Sequence, residues 1–479
     1  MRRGNRAFGV CRRTRPRPRD SRRHKIKIIM AANDMHKTEF FPLELTPVEL
    51  YFFYDNLDEF PALFTTKLVW RGVAERGLWQ TALERALDVH PLLSATVVKE
   101  RGKYYWRLCA KPTITWLDSE AELDAIPIGK IDLECEPGLK IYAAITETGV
   151  VFRLFTHHST CDGGGFIAFM SDWFLEARRM LEGDAAPRVE RNLDYLLRRD
   201  CFEFPPLPKQ RSSLRGCFLK IYYTVQWLFQ RPKELVGDFT QKRFDRSKRR
   251  FSEKPGEQRV AFRILDPETA SDIRRRCKES GETFLSFWLA VLFTRLHRFY
   301  GDKRALYRVT IPFNLRSPKD IDATASLAVS YCFSTRRDRD IDSSLAFSRG
   351  IADEIQYFRD WNSAATFLSS LTTFARVPGL LKATLKSPRA LSSSVFSSLG
   401  DCGRLFDSKL PRDKDGRIAF GSLSLERIYF SGPCRRGSNI FVSAYSYRGE
   451  FYLSYRYASR FIKLDERFLD LWGELSVEK

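Results

Sequence analysis

Histidine is scarce in this chain, six residues in 479, and methionine scarcer still at five. The ten cysteines form no CxxC pair and keep no short regular spacing, which excludes a zinc ribbon and a disulfide framework and suits reduced thiols in the cytoplasm. No apolar run reaches membrane-spanning length; the best, FLSFWLAVLF at 284–293, is too short and ends at Thr294-Arg295, so a soluble protein is expected. There is no GxSxG elbow and no P-loop, which removes two common hydrolase and nucleotide-binding options. What is present is a globular composition, 43% hydrophobic and 14% aromatic, long enough for two or three cores.

The formal charge of +21 is uneven. Residues 1–29 hold ten Arg and two Lys against Asp20 alone, so +11 of it sits there. That stretch, with RRTRPRPRDSRRHK, has neither the apolar core of a secretory signal nor a pattern that packs. Residues 1–35 read as a basic disordered tail or as mis-included upstream sequence. A nucleic-acid binder needs basic residues interleaved with aromatics on a folded face, and the dense basic stretches here are confined to this tail and to a later connector, so no nucleic-acid partner is expected.

From residue 36 the pattern is mixed α/β. TTKLVWRGV (65–73) alternates as a strand, ERGLWQTALERALDVHP repeats apolar residues at helical spacing up to Pro91, and LLSATVVKERGKYYWRL reads as a hairpin. A strand at 150–155 precedes the helix GFIAFMSDWFLEARRMLEG, with Phe166, Phe169, Met170, Trp173, Phe174, Ala177 and Leu181 inward and Gly183 as its stop. These make a first lobe over 36–205. Residues 206–258 read as a connector, with the apolar CFLKIYYTVQWLFQRP ahead of a basic stretch; a helix lying in a membrane interface is the alternative, hence an expected cytoplasmic place with peripheral membrane contact as an option. A second lobe over 259–479 repeats the plan: the strand RVAFRIL, a helix opened by Asp266-Pro267, a second helix, the strand LYRVTIPFNLRS, and a closing hairpin around Arg448-Gly449.

Two of the six histidines stand together in FTHHSTCDGGG (155–165). Successive strand side chains point to opposite faces, so His157 and His158 do not share a cavity. The remaining histidines, His24, His36, His90 and His297, sit in unrelated contexts, and no metal site is expected. One imidazole suits a general base. Asp162 is placed to orient His158 or to pair with an arginine elsewhere, and Gly163, Gly164 and Gly165 allow a sharp bend. Cys161, three residues from His158, suggests a Cys/His nucleophile, but nothing in the sequence supplies the activating environment a thiolate needs.

HHSTCDG at 157–163 resembles the HHxxxDG motif of the CoA-dependent acyltransferase superfamily: condensation domains, wax ester synthases, polyketide-associated acyltransferases and, more distantly, chloramphenicol acetyltransferase. FPLELTPVELYFF (41–53), ALERALDVHPLLSATVV (82–98) and VTIPFNLRS (309–317) resemble further stretches of the same family, in order, so the resemblance spans 36–479. It implies an α/β (α+β) fold of two chloramphenicol-acetyltransferase-like lobes, each a mixed sheet with flanking helices, and an active-site tunnel between them. It implies that His158 is the base and His157 structural, that Asp162 is held architecturally by Arg316, and that Gly163 leaves room at the tunnel with its backbone N–H toward the oxyanion. The implied donor is acyl-CoA or an acyl-carrier protein, the acceptor an alcohol or amine, with no bound cofactor and a monomeric chain. Some family features are missing: Ser94 stands where arginine is usual, ASLAVSYCFS (325–334) replaces a Gly-Asn pair, and neither an Asp-Phe-Gly-Trp-Gly motif nor a carrier-attachment site occurs. A catalytically silent binding protein on the same fold is the alternative reading.

Overall fold

The computed structural model describes residues 39–72, 75–183, 189–203, 258–300, 306–320, 322–386, 392–436, 438 and 440–458. The expected tail and connector lie outside the described residues, apart from Gln258. Strand β1 (Leu43–Glu44) leads into helix α1 (Pro47–Asp55). A capping box starts α1: Glu49 N–H donates to Thr46 Oγ1 at 3.3 Å, Thr46 N–H to Glu49 Oε2 at 2.8 Å, and Pro47 takes the first turn. Then come β2 (Leu63–Arg71), α2 (Arg76–Val89), the hairpin β3 (Ala95–Glu100) and β4 (Lys103–Leu108), β5 (Ile114–Leu117), α3 (Glu120–Ala125), β6 (Leu139–Ile145), β7 (Gly149–His157) and α4 (Gly163–Glu182).

Helix α4 buries Phe166, Phe169, Met170, Trp173, Phe174 and Ala177, as 3.6-residue spacing requires. Leu181, in the last turn of α4, departs from the expected inward set and is 40% exposed, with its side chain beside Gly421. Between α4, α2 and the sheet, Trp79, Phe152 and Trp173 pack edge to face with centroids 4.9 and 5.0 Å apart, and Trp173 Nε1 donates to the Trp79 carbonyl at 3.1 Å.

The second half continues with β8 (Gln258–Leu265), α5 (Pro267–Glu279), α6 (Phe284–Tyr300), β9 (Leu306–Asn314), β10 (Val329–Arg337), α7 (Leu345–Asp360), α8 (Ser363–Arg376), α9 (Leu380–Lys386), β11 (Ser394–Asp401), α10 (Cys402–Leu405), β12 (Ala419–Phe420), β13 (Leu423–Ser431), β14 (Ile440–Tyr447) and β15 (Glu450–Ala458). Asp266 caps α5 by accepting from Thr269 N–H at 2.8 Å. Arg448 and Gly449, with φ of 47° and 84°, close the β14–β15 hairpin through a two-residue turn of the kind whose twist matches its strands.

Two six-stranded mixed sheets result, ordered β12-β13-β2-β7-β6-β5 and β10-β9-β11-β14-β15-β8, with a small sheet β1-β4-β3 beside them. The first order corrects the expected division of the chain. Residues 419–431 do not join the second lobe; β13 pairs antiparallel with β2, Ile428 opposite Leu68 and Ser431 opposite Thr65. Leu423, Leu425 and Ile428 thereby enter the first core, and β2 is spared an open edge. A strand that alternates apolar residues looks the same in sequence whichever sheet it completes.

Three side chains of the β14–β15 hairpin fasten the sheets together. Tyr445 Oη accepts from Phe430 N–H at 2.8 Å and donates to the Ile428 carbonyl at 3.0 Å. Tyr447 Oη likewise joins Ile418 N–H to the Leu425 carbonyl, at 3.1 and 2.9 Å. Arg456, fully buried, donates from Nη1 to the Leu63 carbonyl at 2.6 Å and from Nε to Gln258 at 2.5 Å, and burial lowers its pKa to about 10, still cationic at neutral pH. Replacing Tyr445 by Phe orphans a buried backbone donor and acceptor together. Urea unfolding of Tyr445→Phe is expected to show a loss of about 1–3 kcal/mol with an unchanged slope; an unchanged midpoint would refute the pin.

Candidate active site

Strand β7 ends at His157, and the residues around this end are tied down in turn. His157 N–H donates to the Gly138 carbonyl at 2.7 Å, and its Nδ1 accepts from Ser159 N–H at 3.1 Å. Thr160 Oγ1 donates to the His157 carbonyl at 2.7 Å, and Ser159 Oγ to the Glu49 carbonyl at 3.0 Å. Glu49 is gripped in turn by the Arg199 guanidinium, Nε to Oε1 at 2.8 Å. His157 is fully buried, and the loss of water, the neighbouring His158 and Lys130 push its pKa down to about 3. It is a buried residue that does not line the cavity.

His158 faces the other way. Its N–H is held by the Ala62 carbonyl at 2.8 Å, its ring stacks on Phe52 with centroids 4.0 Å apart, and Phe64 meets it edge-on at 5.6 Å. Nδ1 is buried with no hydrogen-bond partner of good geometry, although the carbonyls of His158 itself and Cys161 lie beside the ring and favour a proton on it, as does Asp162. Burial outweighs them and lowers the pKa to about 4, so the imidazole is neutral at physiological pH. Cys161, by contrast, is fully buried in the first core, which raises its thiol pKa far out of range for a nucleophile.

Asp162 caps α4, Oδ1 accepting from Gly165 N–H at 2.9 Å. The same carboxylate receives Arg316 Nη1 at 2.6 and 2.8 Å and Ala328 N–H at 2.7 Å, while Arg316 Nη2 donates to the Ser326 carbonyl at 2.6 Å. Every strong acceptor position of Asp162 is thus used, and it is placed to fix α4, β9 and the loop before β10 as one unit. The three glycines serve this contact. None has a left-handed φ; a Cβ at Gly165 would stand 2.8 Å from the Ser326 carbonyl oxygen and 2.9 Å from Arg316 Nη2, and one at Gly164 3.1 Å from Arg316 Nη1. The expected sharp bend is therefore replaced by close approach of an arginine to the helix start. Gly163 meets the cavity, where a Cβ would press on Leu399 at 2.9 Å.

A second buried network, which the sequence did not reveal, holds the same loop from behind. His90 Nδ1 accepts from Ala325 N–H at 2.8 Å, so its proton is on Nε2, which donates to Asp172 Oδ2 at 2.8 Å. Arg191 closes on Asp172 at 2.6 and 2.8 Å. The signal was the His-Pro dipeptide after α2; its partners, 82 and 235 residues away, carry no local mark.

His158 opens into a cavity of about 180 Å³ whose walls come from both halves of the chain: Phe52 and Phe64 from the first, Val329, Ser397, Phe430 and Arg435 from the second. Among the described residues, no three His, Cys, Asp or Glu side chains gather as a metal site, and no helix is long and apolar enough to cross a membrane.

The backbone resembles solved structures over nine-tenths of its length. Polyketide synthase associated protein 5 from Mycobacterium tuberculosis superposes with a TM-score of 0.58 at 12% identity, covering 90% of this chain and 96% of that one. The fold is the condensation-domain fold. Two further structures of the condensation fold match at TM-score 0.57 and 13% identity, each over 90% of this chain: the epimerization domain from the third module of tyrocidine synthetase B, covered to 94% of its own length, and the starter condensation domain of rhizomide synthetase RzmA, covered to 92% and solved as a mutant with C8-CoA and Leu-SNAC. No family model matches the sequence, and no curated protein matches it either. Within this condensation fold, two mixed sheets with flanking helices flank the cavity that holds His158.

Two outcomes follow. Asp162→Ala leaves the Arg316 guanidinium without its countercharge in a site where the two side chains are 7% and 15% exposed, and chemical denaturation is expected to register a loss of about 3–5 kcal/mol. His157 and His158 resist protonation only when folded, so below about pH 6.5 the unfolded chain binds more protons and stability falls as pH drops toward their folded values of about 3 and 4. Urea midpoints at pH 7.5 and 5 are expected to differ, the lower pH being less stable, and the gap is expected to narrow in His157→Asn; equal midpoints would contradict the lowered pKa of both rings.

Proposed function

We propose that the protein transfers an acyl group from a thioester, acyl-CoA or acyl-carrier protein, to a hydroxyl or amine acceptor by direct attack, with His158 as general base. The observation that carries this reading is a neutral imidazole, stacked on Phe52 and opening into the cavity between the two sheets. A histidine kept neutral has a lone pair at physiological pH. Since Nδ1 is buried, the proposal gives the proton exchange to Nε2.

In this scheme the acceptor heteroatom bonds to the acyl carbon as His158 takes its proton. The tetrahedral intermediate then collapses, the C–S bond breaks, and the imidazolium returns the proton to the departing thiolate. No acyl-enzyme forms and no bound cofactor takes part. Gly163, at the cavity edge on the first turn of α4, is assigned the oxyanion side, where a backbone N–H and the positive helix end favour developing negative charge. Asp162 stays out of the chemistry, because a carboxylate satisfied by arginine and two amides is a poor base. Support for a thioester donor comes from the RzmA neighbour, solved with an acyl-CoA. We place the reaction in the cytoplasm with a monomeric chain and no nucleic acid.

Thiol release from acyl-CoA donors of graded length, with pooled alcohols and amines, tests the proposal. Release is expected to require an acceptor and to fall by at least about 100-fold in His158→Ala, the contribution of a positioned base. Acceptor-dependent release that is equal in wild type and His158→Ala would end the assignment; absence of release with CoA and carrier-protein donors alike would favour a binding protein on this fold.

A further inference from the structure

The cavity contains a charge that the acyl-transfer scheme does not use. Arg435, in the turn after β13, lines the wall with a side chain 13% exposed. Its Nε donates to Asp55 Oδ2 at 2.5 Å, its guanidinium carbon lies 4.6 Å over the Tyr51 ring, and its backbone is fixed by a reciprocal bridge to Ser438 at 3.1 and 2.9 Å. Asp55 is the last residue of α1, where the negative end of the helix dipole opposes a carboxylate, and it is 5% exposed. An acid so placed needs its cation, and Arg435 supplies it.

The pair does not cancel inside the cavity. Arg435 belongs to the wall and Asp55 does not, so the countercharge lies behind the guanidinium. Arginine has five N–H donors in a planar fork, and the Asp55 bond uses Nε. The other charged wall residues, Asp162 and Arg316, are matched to each other and to backbone groups. Much of the remaining lining is aromatic or aliphatic, including Phe52, Phe64, Val329, Leu399 and Phe430. A guanidinium held rigid beside an apolar space, its Nε on Asp55 and its side chain partly exposed in the cavity wall, fits a carboxylate better than any neutral group.

We propose that Arg435 is a specificity residue that recognises a free carboxylate on one of the two substrates. The inference rests on the acyl-transfer reading and narrows it: the acceptor is a hydroxy or amino acid whose acid group is unmasked, or the acyl group is that of a dicarboxylic acid. The positive charge of Arg435 also disfavours the imidazolium at His158. A bound carboxylate offsets that charge, so the correct substrate makes the base stronger when it arrives.

Binding is measured first, on the His158→Ala protein, where no turnover is needed. The probes are 3-hydroxyoctanoate against its methyl ester, valine against valinamide, and succinyl-CoA against butyryl-CoA, by calorimetric titration. At least one pair is expected to favour the carboxylate by about tenfold or more, and the pair that does so identifies the substrate carrying the acid. Arg435→Lys, which keeps the charge but loses the fork, is expected to weaken the preference. The double variant Asp55→Asn/Arg435→Gln, which leaves no buried charge unpaired, is expected to abolish it, with folding checked by its melting curve. No preference in any pair, or a preference that survives in the folded double variant, overturns the proposal. A preference dependent on Arg435 in a protein that releases no thiol would sink the acyl-transfer reading and leave the carboxylate site standing.

Discussion

The Asp162–Arg316 ion pair is the contact on which the rest of the site depends. One carboxylate caps α4, receives the guanidinium from the end of β9, and accepts the Ala328 amide ahead of β10. It draws the arginine across a helix start whose own partial charge is positive, an approach that the carboxylate neutralises and that three side-chain-free residues make sterically open. A desolvated pair of this kind adds little net stability compared with an apolar pair, yet it is costly to break. That combination suits a joint between two halves of a chain: it specifies one arrangement and penalises every other. His158, four residues upstream, inherits its position from this joint and from the Phe52 ring beneath it.

The two sheets are joined again by different chemistry. Tyr445, Tyr447 and Arg456 project from one sheet and bond to backbone groups of the other sheet or of the loops beside it, while β13 leaves its sequence neighbours to complete the first sheet. Gly432, just after β13, sits so close to the Phe441 ring that a Cβ would stand 2.1 Å from it. The Arg435 turn is therefore clamped between both sheets. Cavity walls built this way are rigid on either side of His158, which is what discrimination between similar substrates requires.

Much of the fold was legible where local rules suffice. The Asp-Pro entry to α5, the Arg-Gly turn of the last hairpin and the helical spacing after Gly163 each pair a residue type with one local geometry. The motif 157–163 placed the histidines at a strand end before a helix, and Arg316 was named through the family resemblance. Long-range pairings were not legible. Nothing in LSLERIYFS says that it completes a sheet begun some 350 residues earlier, and nothing in CRRG marks Arg435 as the partner of Asp55, 380 positions away. The glycines misled for a related reason: sequence shows the missing side chain, not whether a turn or a neighbour requires its absence.

The central claim is that the fold keeps His158 neutral and available inside the cavity. Titration of side-chain-labelled histidines by NMR, with His158 assigned through a His158→Asn variant, tests it most directly. An imidazole that stays neutral from pH 8 to below 5 and titrates near 4 is the result the structure requires. A His158 that titrates at the ordinary value near 6.5 would mean that its ring is solvated, and with that the account of the cavity would fail.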